Sequence, residues 1–478
     1  MSTCCPKEKT SDIEPLQVAI IGSGSAAFAC AIKAAESGAI VTIIEGADTI
    51  GGCCVNVGCV PSKIMIRAAE LAEQQRKNPF EGLENREPII MRSMLAEQQQ
   101  SRVDELRAAK YENILTSNES INLLKGWATF KDAQTLLITK PDGSEEEFHA
   151  DRVLIATGSK PSIPPIKGLA DTPFWTSQEA LFAKELPESL IVIGSSVIAV
   201  ELAQAYQRLG TKVTLLARHT LLYREDPLLG EQLQKAFETE GMTVLTHTEA
   251  ELVQFKNGLY QLKTNQGTLT SEQLLIASGR SSNTEKLNLE ASGIDTHPNG
   301  AIKVNSHMQT SVEHVYAAGD CSDMPQFVYV AAAAGSRSGI NMTGGDVELD
   351  LNVMPAVIFT DPQVATVGLT EAEAKSLDVR TESRTLDLSN VPRALANFDT
   401  TGFIKLVVEA QTMKLIGAQV LAHNGGEIIQ TAAIAIANNM TTDDIANQLF
   451  PYLTMVEGLK LCAQTFRQDV SQLSCCAG

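Results

Sequence analysis

The stretch from residue 17 to residue 45 leaves few folds open. An apolar run, Gln17–Ile21, enters Gly22-Ser23-Gly24-Ser25-Ala26-Ala27. A helical pattern follows to Gly38, and a second apolar run at 40–44 ends in Glu45. Strand, glycine turn, helix, strand and acid in this order make a dinucleotide-binding unit, which a glycine triplet alone would not establish. In such a unit Gly22 makes the tight turn, Gly24 lets backbone meet a pyrophosphate, and Ala27 permits close helix packing. Glu45 stands where a carboxylate accepts hydrogen bonds from an adenosine ribose.

The pattern recurs. An apolar run at 190–193 leads into Gly194-Ser195-Ser196-Val197-Ile198-Ala199, then a helix, then the strand Lys212–Leu216. Gly194 and Ala199 take the places of Gly22 and Ala27, while Ser196 replaces the middle glycine. After the second strand stands Ala217, not an acid, and then Arg218. An acid there would hold a free 2′-hydroxyl and repel a 2′-phosphate; arginine does the reverse. NADPH is therefore expected over NADH, with Arg218 and Arg224 on the 2′-phosphate, unless Arg218 is merely a solvated surface base. Two such units imply two cofactors, a flavin and a nicotinamide. A third strand ends in Gly319-Asp320, where Asp320 can take hydrogen bonds from a ribityl chain, and a helix pattern from Pro325 points its N-terminus at the same place.

Between the two units lies Gly51-Gly52-Cys53-Cys54-Val55-Asn56-Val57-Gly58-Cys59-Val60-Pro61-Ser62-Lys63. Cys54 and Cys59 are close enough in sequence to close a small disulfide loop, and the glycines let backbone approach a flat ligand. Cys59 opens a helical pattern, where the positive dipole end favours a thiolate. A redox dithiol, a structural pair and a metal site all fit two cysteines in a loop. The nucleotide units favour the redox dithiol.

At 478 residues the chain is long enough for several domains. No run of 18 apolar residues appears and no basic-then-apolar leader opens the sequence, so a cytoplasmic protein without a membrane span is expected. In a reducing compartment, ten cysteines argue for redox or metal chemistry over a disulfide scaffold. Cys30, Cys321 and Cys462 sit singly in apolar surroundings and read as buried small hydrophobes. Against 38 bases stand 57 acids, a net charge of −19, which argues against nucleic-acid binding, since that wants a basic face. The acids cluster at 81–87, 145–147 and 346–350, as a solubilising surface or as an adaptation to high salt.

The expected architecture is α/β: two Rossmann-like nucleotide-binding domains followed by a C-terminal α+β domain. Residues 1–15 read as a flexible lead-in. Residues 16–157 with 285–350 form the first nucleotide domain, 158–284 the second, and 351–478 the last. Residues 60–117 read as two long helices, followed by strands at 121–130, 135–139 and 152–156. In the last domain, strands are expected at 356–359, 403–408 and 414–420, with helices at 371–376, 426–438 and 455–466.

The glycine unit at Gly22, the Cys54/Cys59 pair with Lys63, the Ala156-Thr157-Gly158 turn and the Ala317–Asp320 segment together resemble the flavin disulfide reductases. The resemblance covers nearly the whole chain and implies FAD, NADPH and a homodimer held by the C-terminal domain. Within that family it is similar to the branch whose substrate is mercuric ion, Hg(II), delivered as small-thiol complexes. Three features carry this: the terminal Cys475-Cys476, Tyr111, and Tyr452 in Phe450-Pro451-Tyr452-Leu453-Thr454. The disulfide reductases have a proton-shuttling histidine at the place of Tyr452, and no histidine lies between 424 and 478 here. A tyrosine, with an ordinary pKa of about 10, does not do that work easily. The rival reading, an NADPH-dependent reductase of a small disulfide, needs that histidine.

The resemblance also implies roles. Lys63 and Glu201 would pair near the flavin ring, and Ala27, Ala128, Asp320 and Val328 would lie along the FAD. Cys54, Cys59, Cys475 and Cys476 would hold the ion, flanked by Tyr111 and by Tyr452 of the partner subunit. One departure stands out: Cys53 replaces the family's threonine, either as an innocent small residue or as a third metal thiol. Cys4-Cys5 reads as an unused pair or as a scavenger of metal.

Overall fold

The structure is a computed structural model that describes residues 14–472. Cys4, Cys5, Cys475 and Cys476 lie outside the described residues. The chain forms two compact units, each assembled from separated segments.

The first unit comprises residues up to 56 together with 103–160 and 280–349. Its centre is a five-stranded parallel sheet in the order Val315–Ala317, Arg152–Ile155, Gln17–Ile21, Ile40–Glu45, Ile121–Lys125. Both faces are buried, which is why these strands read as continuous apolar runs rather than alternating ones. Val18, Ile20, Val41, Ile43 and Leu154 pack under the helix Ser25–Glu36. Their neighbours Ala19, Ile21, Ile44, Val153 and Ile155 face Phe130, Leu136 and Ile138 on the other side.

The apolar run 121–130 is two strands, not one. Ile121–Lys125 ends the parallel sheet, and Trp127–Phe130 joins Thr135–Thr139 and Glu145–His149 in an antiparallel sheet. Gly126 makes the break: a Cβ there would stand 2.6 Å from Ile138 Cγ2. The strand Glu145–His149 hid in the sequence as an acid cluster. Its Glu146 and Glu147 pair with Lys140 and Lys131.

The second unit comprises 57–102, 161–279 and the residues from 350 onward. A four-stranded parallel sheet runs Thr243–Leu245, Lys212–Leu216, Ser189–Ile193, Gln273–Ile276, with the helix Val197–Arg208 packed against it. Beside it, Ala250–Lys256, Leu259–Thr264 and Gly267–Ser271 form an antiparallel sheet. The C-terminal part is a five-stranded antiparallel sheet in the order Ala356–Ile358, Gln363–Gly368, Leu415–Ala422, Phe403–Glu409, Thr381–Asp387. The helix Gly425–Ala437 packs on it, and Glu457–Gln464 is the last α-helix among the described residues.

Two of those five strands do not read as strands in the sequence. Thr381–Asp387 is an edge strand whose composition is largely polar, as edges tolerate. Gln363–Gly368 is short and central, and both its faces are covered by remote chain. The helical stretch 60–117 is likewise more divided than its pattern implies. It comprises Cys59–Arg76, Arg92–Arg107, a single π-helical turn Ala108–Glu112, and Asn113–Ser117. Among the described residues no helix is long and apolar enough to cross a membrane.

Candidate active site

In the first unit the glycine turn sits at the end of the strand Gln17–Ile21. Gly22 has φ +102°, and a Cβ there would lie 2.5 Å from the Ala156 carbonyl oxygen. Only glycine lets the turn close onto the Ala156-Thr157-Gly158 segment. The helix Ser25–Glu36 then begins with Gly24 as its N-cap and with no side chain capping it. Its first amide groups are thus available to an anion. At the end of the second strand Glu45 is held in place: Oε2 accepts from Ser23 Oγ at 2.6 Å and Oε1 from the Ala47 amide at 2.8 Å. Ala27 is fully buried beneath this turn.

The cysteine segment folds back onto the same turn. The Gly51 amide donates to the Ser23 carbonyl at 3.0 Å, and a Cβ on Gly52 would stand 2.6 Å from Gly24 Cα. Cys54 is not on an open loop. It belongs to a short helix, Gly52–Val57, and Cys59 is the first residue of the next helix, with Gly58 as its N-cap. No side chain caps that second helix either, so its dipole end falls on Cys59. Asn56 fastens the short helix by donating to the carbonyls of Ile50 and Gly52, and it accepts from Arg107 Nη1 at 3.1 Å.

Tyr111 lies within the π-helical turn, a local irregularity of a kind that recurs at functional sites. Its hydroxyl is 3.2 Å from Ser25 Oγ, and its ring meets Phe28 edge to face at 5.0 Å. A Cβ on Gly51 would be 3.3 Å from the Tyr111 ring. Tyr111, the glycine turn and the cysteine segment are therefore one cluster. Asp320 joins the unit from the far strand. Its carboxylate accepts from Ser159 Oγ at 2.7 Å and lies 3.8 Å from Arg280 Nε. Arg280 also donates to Ser159 Oγ and to the Ser159 carbonyl, and its Nη2 is 3.7 Å from Cys53 Sγ. Ala128 is buried in Trp127–Phe130, and Val328 opens the helix Val328–Met342, three residues later than the pattern from Pro325 implied.

In the second unit Lys63 Nζ donates to Glu201 Oε2 at 2.8 Å and to Oε1 at 3.1 Å. Glu201 is buried in Val197–Arg208, and its Oε1 also accepts from the Phe359 amide at 2.8 Å. The ammonium lies 4.6 Å above the Phe359 ring, a cation–π contact that further limits its freedom. Tyr452 is half exposed between the last two α-helices, beside Leu453 with its positive φ of 58°.

The second glycine turn repeats the first. A Cβ on Gly194 would stand 2.2 Å from the Ala277 carbonyl oxygen, Ala199 is fully buried, and Ser196 is an N-cap whose side chain makes no capping bond. Both turns thus have an uncapped helix N-terminus and a backbone approach that any side chain would block, which fits a dinucleotide pyrophosphate at each. Arg218 is exposed and lies 3.3 Å from Glu249, while Arg224 Nε donates to Tyr223 Oη.

Three cysteines drop out of the chemistry. Burial pushes the Cys321 thiol up to about 11 and the Cys462 thiol up to about 12, and it raises Cys30 further. A thiol held protonated is a poor nucleophile and a poor metal ligand.

Several residues in these clusters escape a sequence reading: Ser23, Ser25, Asn56, Arg107, Ser159, Arg280 and Phe359. For Arg280 a signal existed. Ala277-Ser278-Gly279 repeats the Ala156-Thr157-Gly158 pattern at the end of a strand, and Arg280 comes directly after it.

Residues 16–335 match the family described as pyridine nucleotide-disulphide oxidoreductase, and residues 354–463 match its dimerisation domain. The chain is 66% identical to the mercuric reductase of Shewanella putrefaciens, over 99% of this chain and 86% of that protein. It is 60% identical to the mercuric reductase of Shigella flexneri, over 98% of this chain and 84% of that protein. Among solved structures it is similar to the HOCl-induced flavoprotein disulfide reductase RclA from Escherichia coli, in a Cu(II) complex. The TM-score is 0.84 at 27% identity, over 95% of this chain and 100% of that one. LpdA from Mycobacterium tuberculosis has a TM-score of 0.84 at 28% identity, with the same coverage.

Proposed function

The chain belongs to the pyridine nucleotide-disulphide oxidoreductases, and within them to the mercuric reductases; from that premise we propose that it reduces thiol-bound Hg(II) to elemental mercury with NADPH, in mercury detoxification. The observation that carries the reading is that Gly51 and Gly52, at the head of the helix that holds Cys54, fold onto the first glycine turn, in a chain 66% identical to a mercuric reductase. FAD and NADPH, when bound, supply the two electrons that take Hg(II) to Hg(0).

The chain's own residues hold the cofactors and handle the metal. Gly22, Gly24, Ala27, Glu45, Ala128, Asp320 and Val328 would hold an FAD, and the Lys63–Glu201 pair would serve its ring. Gly194, Ala199 and Arg218 hold the NADPH. Residues 16–157 with 285–350 are the FAD domain, 158–284 the NADPH domain and 351–478 the dimerisation domain.

Hg(II) is soft and prefers thiolates. It passes between them by exchange, each incoming thiolate forming one Hg–S bond as an outgoing one breaks. Cys475 and Cys476 take the ion from a small thiol and pass it to Cys54 and Cys59. Cys54 is the outer, exchanging thiolate, and Cys59, at the helix N-terminus, is the inner one. Tyr111 and Tyr452 of the partner subunit flank the ion. Once the metal is reduced it has little affinity for sulfur, and both thiolates are regained. The protein is a cytoplasmic homodimer in this reading.

The test is NADPH oxidation by the purified yellow protein with Hg(II) in excess thiol, set against oxidised glutathione and lipoamide. Turnover with Hg(II) alone is expected. A comparable rate with either disulfide overturns the assignment.

A further inference from the structure

The nicotinamide reading rests on two residues at the end of the strand Lys212–Leu216: Ala217, which is not an acid, and the base Arg218. In the folded chain an acid is nevertheless present at that place, brought by another segment. The backbone of 217–219 runs beside that of 245–248. The Ala217 amide donates to Leu245, the Thr248 amide donates to Ala217 at 3.0 Å, and the His247 amide donates to His219 at 3.2 Å. Glu249 is the next residue, and Asn265 anchors it twice. Its amide donates to Asn265 Oδ1 at 2.9 Å, and its carbonyl accepts from the Asn265 amide at 3.3 Å. The carboxylate is thereby held against Arg218, with Oε1 3.3 Å from Nε.

Both side chains are exposed, 73% for Arg218 and 62% for Glu249. A pair so solvated contributes little to folding and opens readily for a ligand. The two kinds of ribose meet it differently. A 2′-phosphate must draw Arg218 away from Glu249 and then sit as an anion beside that carboxylate. A 2′-hydroxyl carries no charge and can donate a hydrogen bond to it.

We propose that Glu249 is a specificity-determining residue of the nicotinamide site, supplying from a neighbouring segment the carboxylate that position 217 lacks and so admitting NADH alongside NADPH. This rests on the reading of Arg218 as the 2′-phosphate residue. In this arrangement the arginine serves one cofactor and the carboxylate the other. Glu249 lowers the preference for NADPH that Arg218 creates.

The experiment is calorimetric titration of the FAD-loaded dimer with NADP⁺ and with NAD⁺, which needs no turnover. Wild type, Glu249→Gln and Arg218→Gln are compared at low salt and at about 0.5 M NaCl. Glu249→Gln should tighten NADP⁺ about fivefold at low salt and weaken NAD⁺ about threefold, on the scale of one exposed charge near an anion. Most of the NADP⁺ effect should vanish at high salt, where the screening length falls to a few ångströms. If Arg218→Gln weakens NADP⁺ tenfold or more while Glu249→Gln leaves the NADP⁺ to NAD⁺ ratio unchanged, the proposal is wrong and the Arg218 reading stands. If Arg218→Gln leaves NADP⁺ binding unchanged, the Arg218 reading fails and the proposal falls with it.

Discussion

Replacing Glu201 by alanine tests how Lys63 and the segment at Phe359 are held. Glu201 is only 4% exposed, and its carboxylate serves two donors from remote parts of the chain: Lys63 Nζ at 2.8 Å and the Phe359 amide at 2.8 Å. The two losses are unequal. Lys63 is 34% exposed and can turn to water, so its share is close to that of a surface pair, about 0.2–1 kcal/mol. The Phe359 amide loses a hydrogen bond to a charged acceptor, a contribution of about 1.5–3 kcal/mol. Local opening should therefore become about tenfold to 150-fold more frequent at that amide. Hydrogen exchange resolved to single amides reads this directly on the folded protein. The Asp361 amide, held by Gln204 Oε1 at 2.8 Å in the same segment, is the reference and should change far less. Glu201→Gln keeps an acceptor oxygen and should show a smaller effect. An unchanged Phe359 amide would refute the reasoning. So would equal acceleration at Phe359 and Asp361, because the helix Val197–Arg208 would then have loosened as a whole.

Changing Cys54 or Cys59 to alanine should abolish Hg(II) reduction while FAD stays bound, as read by flavin absorbance and mercury release; normal turnover in either variant would mean the wrong pair. Changing both Cys475 and Cys476 to alanine should slow reduction of thiol-bound Hg(II) far more than that of weakly liganded Hg(II), since a tethered dithiol works by local concentration, up to about millimolar. Equal slowing with both would show that the tail does not act in exchange. His423 supplies a pH dependence. The Asp361 carboxylate, with Oδ1 3.8 Å from His423 Nδ1, raises the His423 pKa, while Asp361, which burial alone would raise, is held low by His423 and Arg208. The stabilisation from His423 is therefore complete below its unfolded value of about 6.5 and is lost as pH climbs through the higher folded value. Asp361 loses its own contribution only in strong acid. The Tm difference between wild type and His423→Asn should be largest near pH 5–6 and shrink above neutrality; a difference that grows with pH contradicts the sign. If the acidic surface is an adaptation to salt, activity should persist or rise at about 1 M NaCl, where the Debye length is about 3 Å. Loss of activity there, with circular dichroism intact, leaves the −19 charge as a solubility feature.

Much of this protein is written in short contiguous stretches. Each βαβ unit is legible because its strand, glycine turn, helix and second strand lie within about thirty residues, and buried parallel strands announce themselves as apolar runs. Cys54, Cys59 and Lys63 share one such stretch, and the apolar neighbours of Cys30, Cys321 and Cys462 already marked those thiols as buried. Which remote segment lies opposite a given side chain was beyond the sequence. Glu201 meets the Phe359 amide, 158 positions away, and Asp320 meets Ser159, 161 positions away. Arg107 reaches Asn56 and so fastens the helix that carries Cys54. Glu249 stands beside Arg218 only because two stretches of backbone bond side by side. The edge strand Thr381–Asp387 and the π-helical turn at Tyr111 carry no strong local signal, since neighbouring chain rather than propensity holds them. A local pattern records the face on which a residue sits; hydrogen-bond partners and charge pairs are set by the tertiary packing that brings distant segments together.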